Sequence, residues 1–400
     1  MQERRIIGTG FKIAVVQSVF AKGRKRKLDK QIWAESLAKK IIGKMKAVTE
    51  RNRGRIPYLT QDGMYVDDMG EKDIYWWTNG FWGGILWQLY YATKDVQYRK
   101  EAQKTEDRLE ANLHTYCGMD HDSGFKWLLT AVADYRLTGN EKSRDRALIA
   151  ANSLAGRFNL AGNFIRAWND ENGVNRAGWA IIDCMMNLPL LYWASDELKD
   201  PRFSQIARAH ADRAMTAFVR EDGSVNHIVI FDADTGEIIG RPGGQGYGEG
   251  SSWTRGQAWA LYGFALSFRH TGKVEYLYTA KRVAHYFIAN IPQDGRILVD
   301  FRQPAEYEWE DQTAAAVAAC GLFEIASRVP EQEKALYQKA ALRLLHSLEE
   351  SACWDEEKDY FLGKCTAAFH DGKYEFPMMY ADYFFVEAVW KLCGLETFMW

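Results

Sequence analysis

The sequence predicts an all-α protein whose helices close into an (α/α)6 barrel, a ring of six helical hairpins. Apolar residues recur at helical spacing through nearly all of the 400 residues, and strand-like patterns are confined to a brief stretch near residues 228–239. Strongly apolar helices alternate with charged amphipathic ones. Because a helix that is apolar all round must be buried while an amphipathic helix can face solvent, we place six apolar helices inside the ring and six amphipathic helices outside it.

The six predicted hairpins follow one another along the chain. The apolar helices begin near Asn79, Gly124, Gly178, Trp253, Asp311 and Tyr380. The amphipathic helices cover residues 28–50, 97–114, 141–156, 201–219, 273–289 and 332–350. Recurring phrases such as TGNEKSRDRA and LKDPRFSQIARA mark the turn from an apolar helix into its charged partner. Closing the ring takes all of these helices, so we expect a single domain over residues 28–400, preceded by a basic N-terminal extension over residues 1–27.

The loops that precede the inner helices are expected to meet at one mouth of the barrel. Two of them are long, residues 157–177 and 220–252. The second contains a predicted small hairpin, HIVIF turning through DADTG into EIIG, followed by a glycine-rich arm. Long loops on a rigid scaffold are where binding groups usually lie, so we expect the functional site at this mouth.

Composition and charge argue against several classes of protein. The formal net charge is -2, with 47% hydrophobic and 26% charged residues, which favours neither nucleic acid nor a membrane as a partner. No segment reaches the roughly 18 apolar residues that cross a bilayer. The N-terminal apolar run is interrupted by Lys12 and Gln17, unlike a secretory signal. Cysteines without C-x-x-C spacing predict reduced thiols in a cytoplasmic protein. They are Cys117, Cys184, Cys320, Cys353, Cys365 and Cys393.

A charged residue inside an apolar stretch is the main candidate for chemistry. Asp183 interrupts the run GWAIIDCMMNLPLL near the expected mouth. An unpaired carboxyl group there would be costly to ionise, so its pKa would rise toward that of a general acid working near neutrality. The alternative is a structural aspartate held in a salt bridge.

The segment HDSGF, residues 121–125, offers a partner for this carboxyl group. Asp122 lies at a loop-to-helix junction, where it could cap the helix through its side chain or lie beside Asp183 at the mouth. In the second case its charge would raise the proton affinity of Asp183 and split the two pKa values, as in glycosidase carboxyl pairs. His121 is either an exposed loop residue or a donor to substrate, and His227 is either a packed side chain or a site residue.

The run GGQGYGEGSSWTRGQAW, residues 243–259, combines glycines with the polar Gln245 and places Arg255 and Trp259 on one helix face. An arginine near a helix N-terminus is suited to bind a carboxylate. The glycines match neither a phosphate-binding loop nor a dinucleotide fingerprint. DADTGE has Gly243 where a calcium loop requires glutamate, so we interpret it as a hairpin turn.

Several motifs occur together in a fixed order along the chain. They are W-T-N-G-F-W at 77–82, H-D-S-G-F at 121–125, I-R-A-W at 165–168, I-I-D-C-M-M-N-L-P-L-L at 181–191, S-W-T-R-G-Q-A-W at 252–259 and A-D-Y-F-F-V-E-A at 381–388. With these motifs the chain resembles glycoside hydrolase family 88, the unsaturated glucuronyl hydrolases, over about residues 30–395.

The resemblance implies a hydrolase with an (α/α)6 barrel that acts on oligosaccharides left by polysaccharide lyases, such as glycosaminoglycan fragments. Such an enzyme removes the 4,5-unsaturated uronic acid from the non-reducing end by hydrating its C4=C5 double bond. Asp183 matches the catalytic aspartate, which protonates C4 and takes a proton from the water that adds at C5, and Asp122 matches the second acidic residue. Positions that match the sugar subsite are His121, Trp77, Trp168, His227, Gln245, Arg255 and Trp259. We assign Arg255 and Gln245 to the substrate carboxylate and the tryptophans to stacking. The resemblance implies neither a metal nor an organic cofactor.

Three other functions stay open at this point. An unsaturated rhamnogalacturonyl hydrolase acting on pectin fragments shares the barrel and the chemistry, although HDSGF and IIDCMMNLP favour the glucuronyl branch. A sugar isomerase on the same barrel would need histidines at the mouth, and a non-catalytic scaffold would bind glycans through its tryptophans. The chain departs from the family around residues 361–382, a region expected to contribute to recognition of the adjacent sugar and its sulfate groups, so the preferred linkage is left open.

Overall fold

The computed structural model describes residues 10–116, 118–395 and 399–400, and only the backbone of residues 10–29. Besides a short helix (Met69–Lys72) and a 3-10 turn (Glu110–His114) in the connections, twelve helical segments in these ranges form the barrel. They alternate between an outer ring, which has odd numbers below, and an inner ring, which has even numbers. In chain order they are α1 (Gly10–Arg51), α2 (Asn79–Thr93), α3 (Val96–Leu109), α4 (Ser123–Trp127, a π-helical turn Leu128–Val132, and Ala133–Thr138), α5 (Glu141–Ala155), α6 (Leu188–Leu198), α7 (Pro201–Ala217), α8 (Thr254–Thr271), α9 (Val274–Ala289), α10 (Gln312–Arg328), α11 (Glu331–Ser351) and α12 (Met379–Cys393). The predicted alternation is confirmed.

The recurring phrases form the turns between inner and outer helices. Inner helix α4 ends at Gly139 in the left-handed conformation (φ 75°), and the next residue, Asn140, caps α5 by accepting a hydrogen bond from the backbone N–H two residues later. Helix α6 ends in the same way at Lys199 (φ 55°), and Asp200 caps α7. A left-handed residue ends one helix and a short polar side chain starts the next. Two adjacent residues therefore suffice to reverse the chain.

The inner helices are buried on nearly every side. The largest of their enclosed side chains are Trp82, Trp87, Trp127, Trp259 and Trp390. Burying one large apolar side chain stabilises a fold by roughly 1.5–3 kcal/mol, so these aromatic rings make a large contribution to closing the ring. The high aromatic content of the sequence is thus used mainly in the core.

The third inner segment differs from the prediction. Instead of a helix from Gly178, the chain forms strand β5 (Trp179–Ile181) and a 3-10 turn (Ile182–Met186) before α6. Strand β5 is extended because it pairs in antiparallel register with β6 (Ile228–Phe231) from the long loop. Helix α6 has Pro189 in its first turn, where the missing N–H of proline costs no helical hydrogen bond. The predicted start of this helix is therefore wrong, because a distant strand supplies the pairing.

In the part of the chain that the structure describes, three small sheets lie in the connections between the helices. The predicted hairpin is confirmed as β6 and β7 (Ile238–Gly240), with β5 as a third strand. In its turn, Asp232 accepts hydrogen bonds from the backbone N–H groups of Asp234 and Thr235, which confirms DADTGE as a hairpin turn. The other strands are β1 (Thr60–Gln61) with β2 (Met64–Tyr65), and β3 (Phe158–Asn159) with β4 (Phe164–Ile165).

Helix α1 extends toward the N-terminus beyond the predicted helix at 28–50. It begins at Gly10, so the predicted boundary between residues 27 and 28 falls inside a helix. Residues 1–9 lie outside the described ranges, and the division into an extension and a barrel domain stays a prediction.

Several predictions concern cysteines, metals and membranes. Cysteines 184, 353, 365 and 393 are free thiols, and the Sγ of Cys320 contacts the carbonyl of Phe384. Cys117 lies outside the described residues. Within the described ranges no helix is both long and apolar enough to cross a membrane. The same residues contain no group of three or more histidine, cysteine or acidic side chains arranged to hold a metal ion.

Candidate active site

Asp183 lies in the 3-10 turn between β5 and α6, where its side chain is almost enclosed. The residue is 8% exposed, and burial raises the pKa of its carboxyl group to about 7. The charge of Asp122 raises this pKa further, while His121 and Arg255 oppose the rise. The carboxyl group can therefore hold a proton near neutral pH, as a general acid must.

Asp122 occupies the position before α4, but its side chain makes no capping hydrogen bond. Its Oδ2 atom instead lies 3.3 Å from Nε2 of His121, which is fully buried. Burial acts to raise the pKa of Asp122, but the charges of His121 and Lys126 outweigh it and hold that pKa below its ordinary value. The two aspartates thus have pKa values split in the predicted direction, with Asp122 ionised and Asp183 able to hold a proton.

His121 is not an exposed loop residue, since its relative exposure is 0%. Burial acts to lower the pKa of its imidazole, but the charge of the nearby Asp122 raises that pKa well above the ordinary value. The imidazolium and the Asp122 carboxylate therefore form a buried ion pair beside Asp183. The buried ammonium of Lys126 donates to the carbonyls of Tyr75 and Gly118, and its charge also acts on Asp122.

Asn187 joins the two aspartates and was not predicted as a site residue. Its side-chain amide donates to Asp122 Oδ1 and to the backbone carbonyl of Asp183, both at 3.3 Å, and its Oδ1 accepts from the backbone N–H of Phe125 at 2.7 Å. A side chain on Gly124 would approach the Asn187 backbone to 2.5 Å, so only glycine permits this contact. The signal in the sequence was a second polar residue four positions after Asp183 in an apolar run.

His227 faces the carboxyl group of Asp183 from the start of β6. Its Nδ1 accepts a hydrogen bond from the backbone N–H of Gln245 at 3.0 Å, which leaves the proton of the neutral ring on Nε2. That Nε2 lies 3.5 Å from Oδ1 of Asp183. Burial, with the positive charges of Arg255 and His121, lowers the pKa of His227 to about 3. The ring is therefore neutral, and its Nε2–H lies near Asp183 without making a hydrogen bond to it.

Arg255 lies in the first turn of α8 and is enclosed by protein. Its Nη1 donates to Asp311 Oδ2 at 2.5 Å and to the carbonyl of Thr366 at 2.8 Å, and its Nη2 donates to the carbonyl of Ala367. The guanidinium also lies over the ring of Trp253. Both terminal nitrogens thus have protein partners, so this geometry does not present the open fork of the predicted carboxylate clamp. The charge of Arg255 still acts on Asp183 and lowers its pKa.

The predicted aromatic residues divide into two kinds. Trp77 and Trp168 are half-buried, and the ring of Trp168 approaches His121 edge to face at a centroid distance of 6.4 Å. Trp259 is fully buried and packs against Phe125, with ring centroids 5.3 Å apart. The predicted stacking role of Trp259 is therefore wrong, because the ring has no exposed face. It supports the floor of the site through Phe125, three residues after Asp122.

Comparisons with known proteins agree with the geometry. A sequence profile described as Glycosyl Hydrolase Family 88 matches residues 48–383. An unsaturated glucuronyl hydrolase of Bacillus sp. strain GL1 is 38% identical over 375 residues, covering 90% of this chain and 97% of that protein. An unsaturated chondroitin disaccharide hydrolase of Streptococcus agalactiae serotype III is 32% identical, covering 78% of this chain and 80% of that protein.

The fold is shared with solved structures. One structure, described as UGL with dGlcA-Glc-Rha-Glc, superposes with a TM-score of 0.83 at 35% sequence identity and covers 90% of this chain and 96% of that chain. The predicted (α/α)6 barrel is thereby confirmed. Since the profile spans most of the sequence and a relative that is 38% identical matches 90% of it, the chain belongs to glycosyl hydrolase family 88.

Proposed function

We propose that this protein is a hydrolase that removes the 4,5-unsaturated uronic acid from the non-reducing end of lyase-generated oligosaccharides by hydrating the C4=C5 double bond. One observation carries the proposal: a buried aspartate, Asp183, whose pKa is raised to about 7, lies beside an ionised carboxylate and a neutral imidazole at one mouth of the barrel. The names of the relatives support the same reaction, because they act on unsaturated glucuronyl and chondroitin disaccharide substrates.

The chemistry needs one group that first gives and then takes a proton. Asp183 in its protonated form transfers its proton to C4, and the electron pair of the C4=C5 bond forms the new C4–H bond. The cation that develops at C5 is stabilised by the ring oxygen. A water molecule adds at C5 while the Asp183 carboxylate accepts its proton, which restores the acid. The resulting hemiketal opens and releases the remaining sugar.

The surrounding residues tune this cycle. The negative charge of Asp122 keeps the proton affinity of Asp183 high, and the His121 imidazolium keeps Asp122 ionised. The Nε2–H of His227, 3.5 Å from Asp183 Oδ1, is placed to orient the carboxylate after it has lost its proton. Asn187 fixes the spacing of the two acidic segments. We assign Trp77, Trp168 and Gln245 to contacts with the unsaturated sugar, since they are the half-buried members of the predicted set.

An ultraviolet assay tests the proposal. The absorbance of the conjugated double bond is followed with unsaturated chondroitin and hyaluronan disaccharides and, in parallel, with unsaturated rhamnogalacturonan fragments. We expect the wild-type protein to remove the absorbance of the uronyl substrates and the Asp183→Asn variant to be slower by at least about 100-fold. Asp145→Asn, an exposed aspartate on α5, is the control and should retain full activity. Unchanged absorbance with every uronyl substrate would refute hydration, and loss with rhamnogalacturonan fragments alone would assign the pectin branch.

We also propose a cytoplasmic location. The supporting observation is that four cysteines of the described ranges, Cys184, Cys353, Cys365 and Cys393, are free thiols, two of them buried. Cell fractionation of the native host tests this, and recovery of the activity from the culture medium or periplasm would contradict it.

A further inference from the structure

A group of aromatic rings lies at the rim of the barrel mouth and has no part in the chemistry described above. Five rings define this rim aromatic cluster: Tyr247, Tyr307, Trp309, Phe369 and Tyr374. Phe369 is the buried hub, and the ring centroids of Tyr247, Trp309 and Tyr307 lie 5.0, 5.0 and 5.3 Å from its own. Tyr374 stacks flat on Trp309, with centroids 3.5 Å apart and planes at 7°.

The cluster keeps apolar surface accessible. Tyr247 is 38% exposed, and Tyr307, Trp309 and Tyr374 are each half-buried. Single exposed apolar residues are normal on protein surfaces, but a contiguous set of them marks a place where something binds. Aromatic rings with one free side are suited to a partner that has an apolar face and polar edges. A pyranose ring has this character, because its C–H groups lie on its faces and its hydroxyl groups around its edge.

The cluster is joined to the candidate active site by short contacts. The backbone N–H of Phe369 donates to the carbonyl of Gln245 at 2.9 Å, and the N–H of Gln245 donates to His227, which faces Asp183. The segment just before Phe369 also borders the site, because the carbonyl of Ala367 accepts from Arg255. If an oligosaccharide leaves the site along this segment, the sugars that follow its first two would therefore reach the aromatic cluster.

We propose that the rim aromatic cluster binds the sugars that follow the first two of an oligosaccharide substrate, on its reducing-end side. This proposal rests on the proposed function, because it takes the unsaturated sugar to lie at Asp183. The rings recognise pyranose faces and carry no charge, so the cluster favours longer substrates whether or not they are sulfated. The protein thereby prefers tetrasaccharides to disaccharides.

The test compares two substrate lengths built from the same repeat. Values of kcat/KM are measured for an unsaturated disaccharide and the matching unsaturated tetrasaccharide, with the wild-type protein and with Trp309→Ala and Tyr307→Ala. We expect each substitution to lower kcat/KM for the tetrasaccharide by about three- to tenfold, the effect of losing one aromatic contact, and to change the value for the disaccharide by less than about twofold. Tyr278→Ala, which removes a 61% exposed tyrosine from α9, is the matched control and should change neither value.

Two further measurements keep the outcome clear. Because ring contacts are not ionic, raising the salt concentration should leave the preference of the wild-type protein for the tetrasaccharide intact. Calorimetry measures the binding of the tetrasaccharide to the Asp183→Asn protein, with and without Trp309→Ala, and so tests the cluster without any turnover. If the wild-type protein does not turn over the disaccharide at all, that result counts against the proposed function and not against the cluster. The proposal is overturned if the wild-type protein treats both lengths equally, or if the folded variants lose activity equally on both.

Discussion

Replacing Asp183 with asparagine is expected to stabilise the protein at alkaline pH while it removes activity. The carboxyl group is 8% exposed, and its pKa is raised to about 7, chiefly by burial. Ionising such a group is less favourable in the folded protein than in the unfolded chain, where water solvates the carboxylate. Asparagine has a similar shape and never ionises, so the variant avoids this cost.

The sign and the size of the effect follow from proton linkage. The folded pKa of about 7 lies above the ordinary value of 3.8, so the folded state binds this proton more tightly than the unfolded state does. The resulting stabilisation is complete below the ordinary pKa and is lost as the pH rises through the folded pKa. The whole difference corresponds to about 4 kcal/mol, of which about 2.5 kcal/mol is lost between pH 5 and pH 8.

Urea unfolding of the wild-type and Asp183→Asn proteins at pH 5 and pH 8 measures this effect. The free energy of unfolding of the wild type should fall relative to that of the variant by about 2.5 kcal/mol between these pH values. Asp145→Asn removes a carboxyl group that is 73% exposed and should follow the wild type. A difference between wild type and Asp183→Asn that does not change with pH would refute the raised pKa of Asp183.

The other predictions concern the neighbours of this carboxyl group. The wild-type kcat/KM should fall as the pH rises above 7, because Asp183 loses its proton. In Asp122→Asn, a pH–rate profile should show this fall at lower pH, because the negative charge that raises the pKa of Asp183 has been removed. Gly244→Ala puts a Cβ 2.1 Å from a site imidazole at a φ of +62° and should lower kcat at least about tenfold; Gly272→Ala, with φ +67° and open space around it, should leave kcat unchanged. Asp311→Ala leaves a buried guanidinium without its carboxylate and should lower the free energy of unfolding by about 3–5 kcal/mol in urea titrations. A pH–rate profile of Asp122→Asn that is not shifted would contradict the effect of Asp122 on Asp183. Equal losses of kcat in the two glycine variants would contradict the close approach of Gly244 to the imidazole. An unchanged free energy of unfolding in Asp311→Ala would contradict the buried ion pair with the guanidinium.

The helical rings were predictable because their signals are local. Apolar periodicity decides which helices are buried, and the recurring turn phrases contain both the left-handed end of one helix and the cap of the next. Asp183 and Asp122 could also be singled out as candidates, since a charge within an apolar run and an acidic residue at a helix start are visible without any knowledge of long-range contacts. The sequence also contained enough ordered motifs to identify the family.

The tertiary structure decided which partners from distant parts of the sequence each segment and side chain contacts. Strand β5 exists because the loop near residue 228 pairs with it, and periodicity carries no information on so distant a partner. Arg255 was expected to hold the substrate carboxylate, but Asp311 and two carbonyls from a remote segment occupy its nitrogens. Asn187 links the two acidic segments across 65 residues of sequence. By itself the sequence determined the ring of hairpins and singled out the two aspartates as candidates. Burial and the charges brought together from distant segments, which only the fold creates, raise the pKa of Asp183 and hold that of Asp122 low.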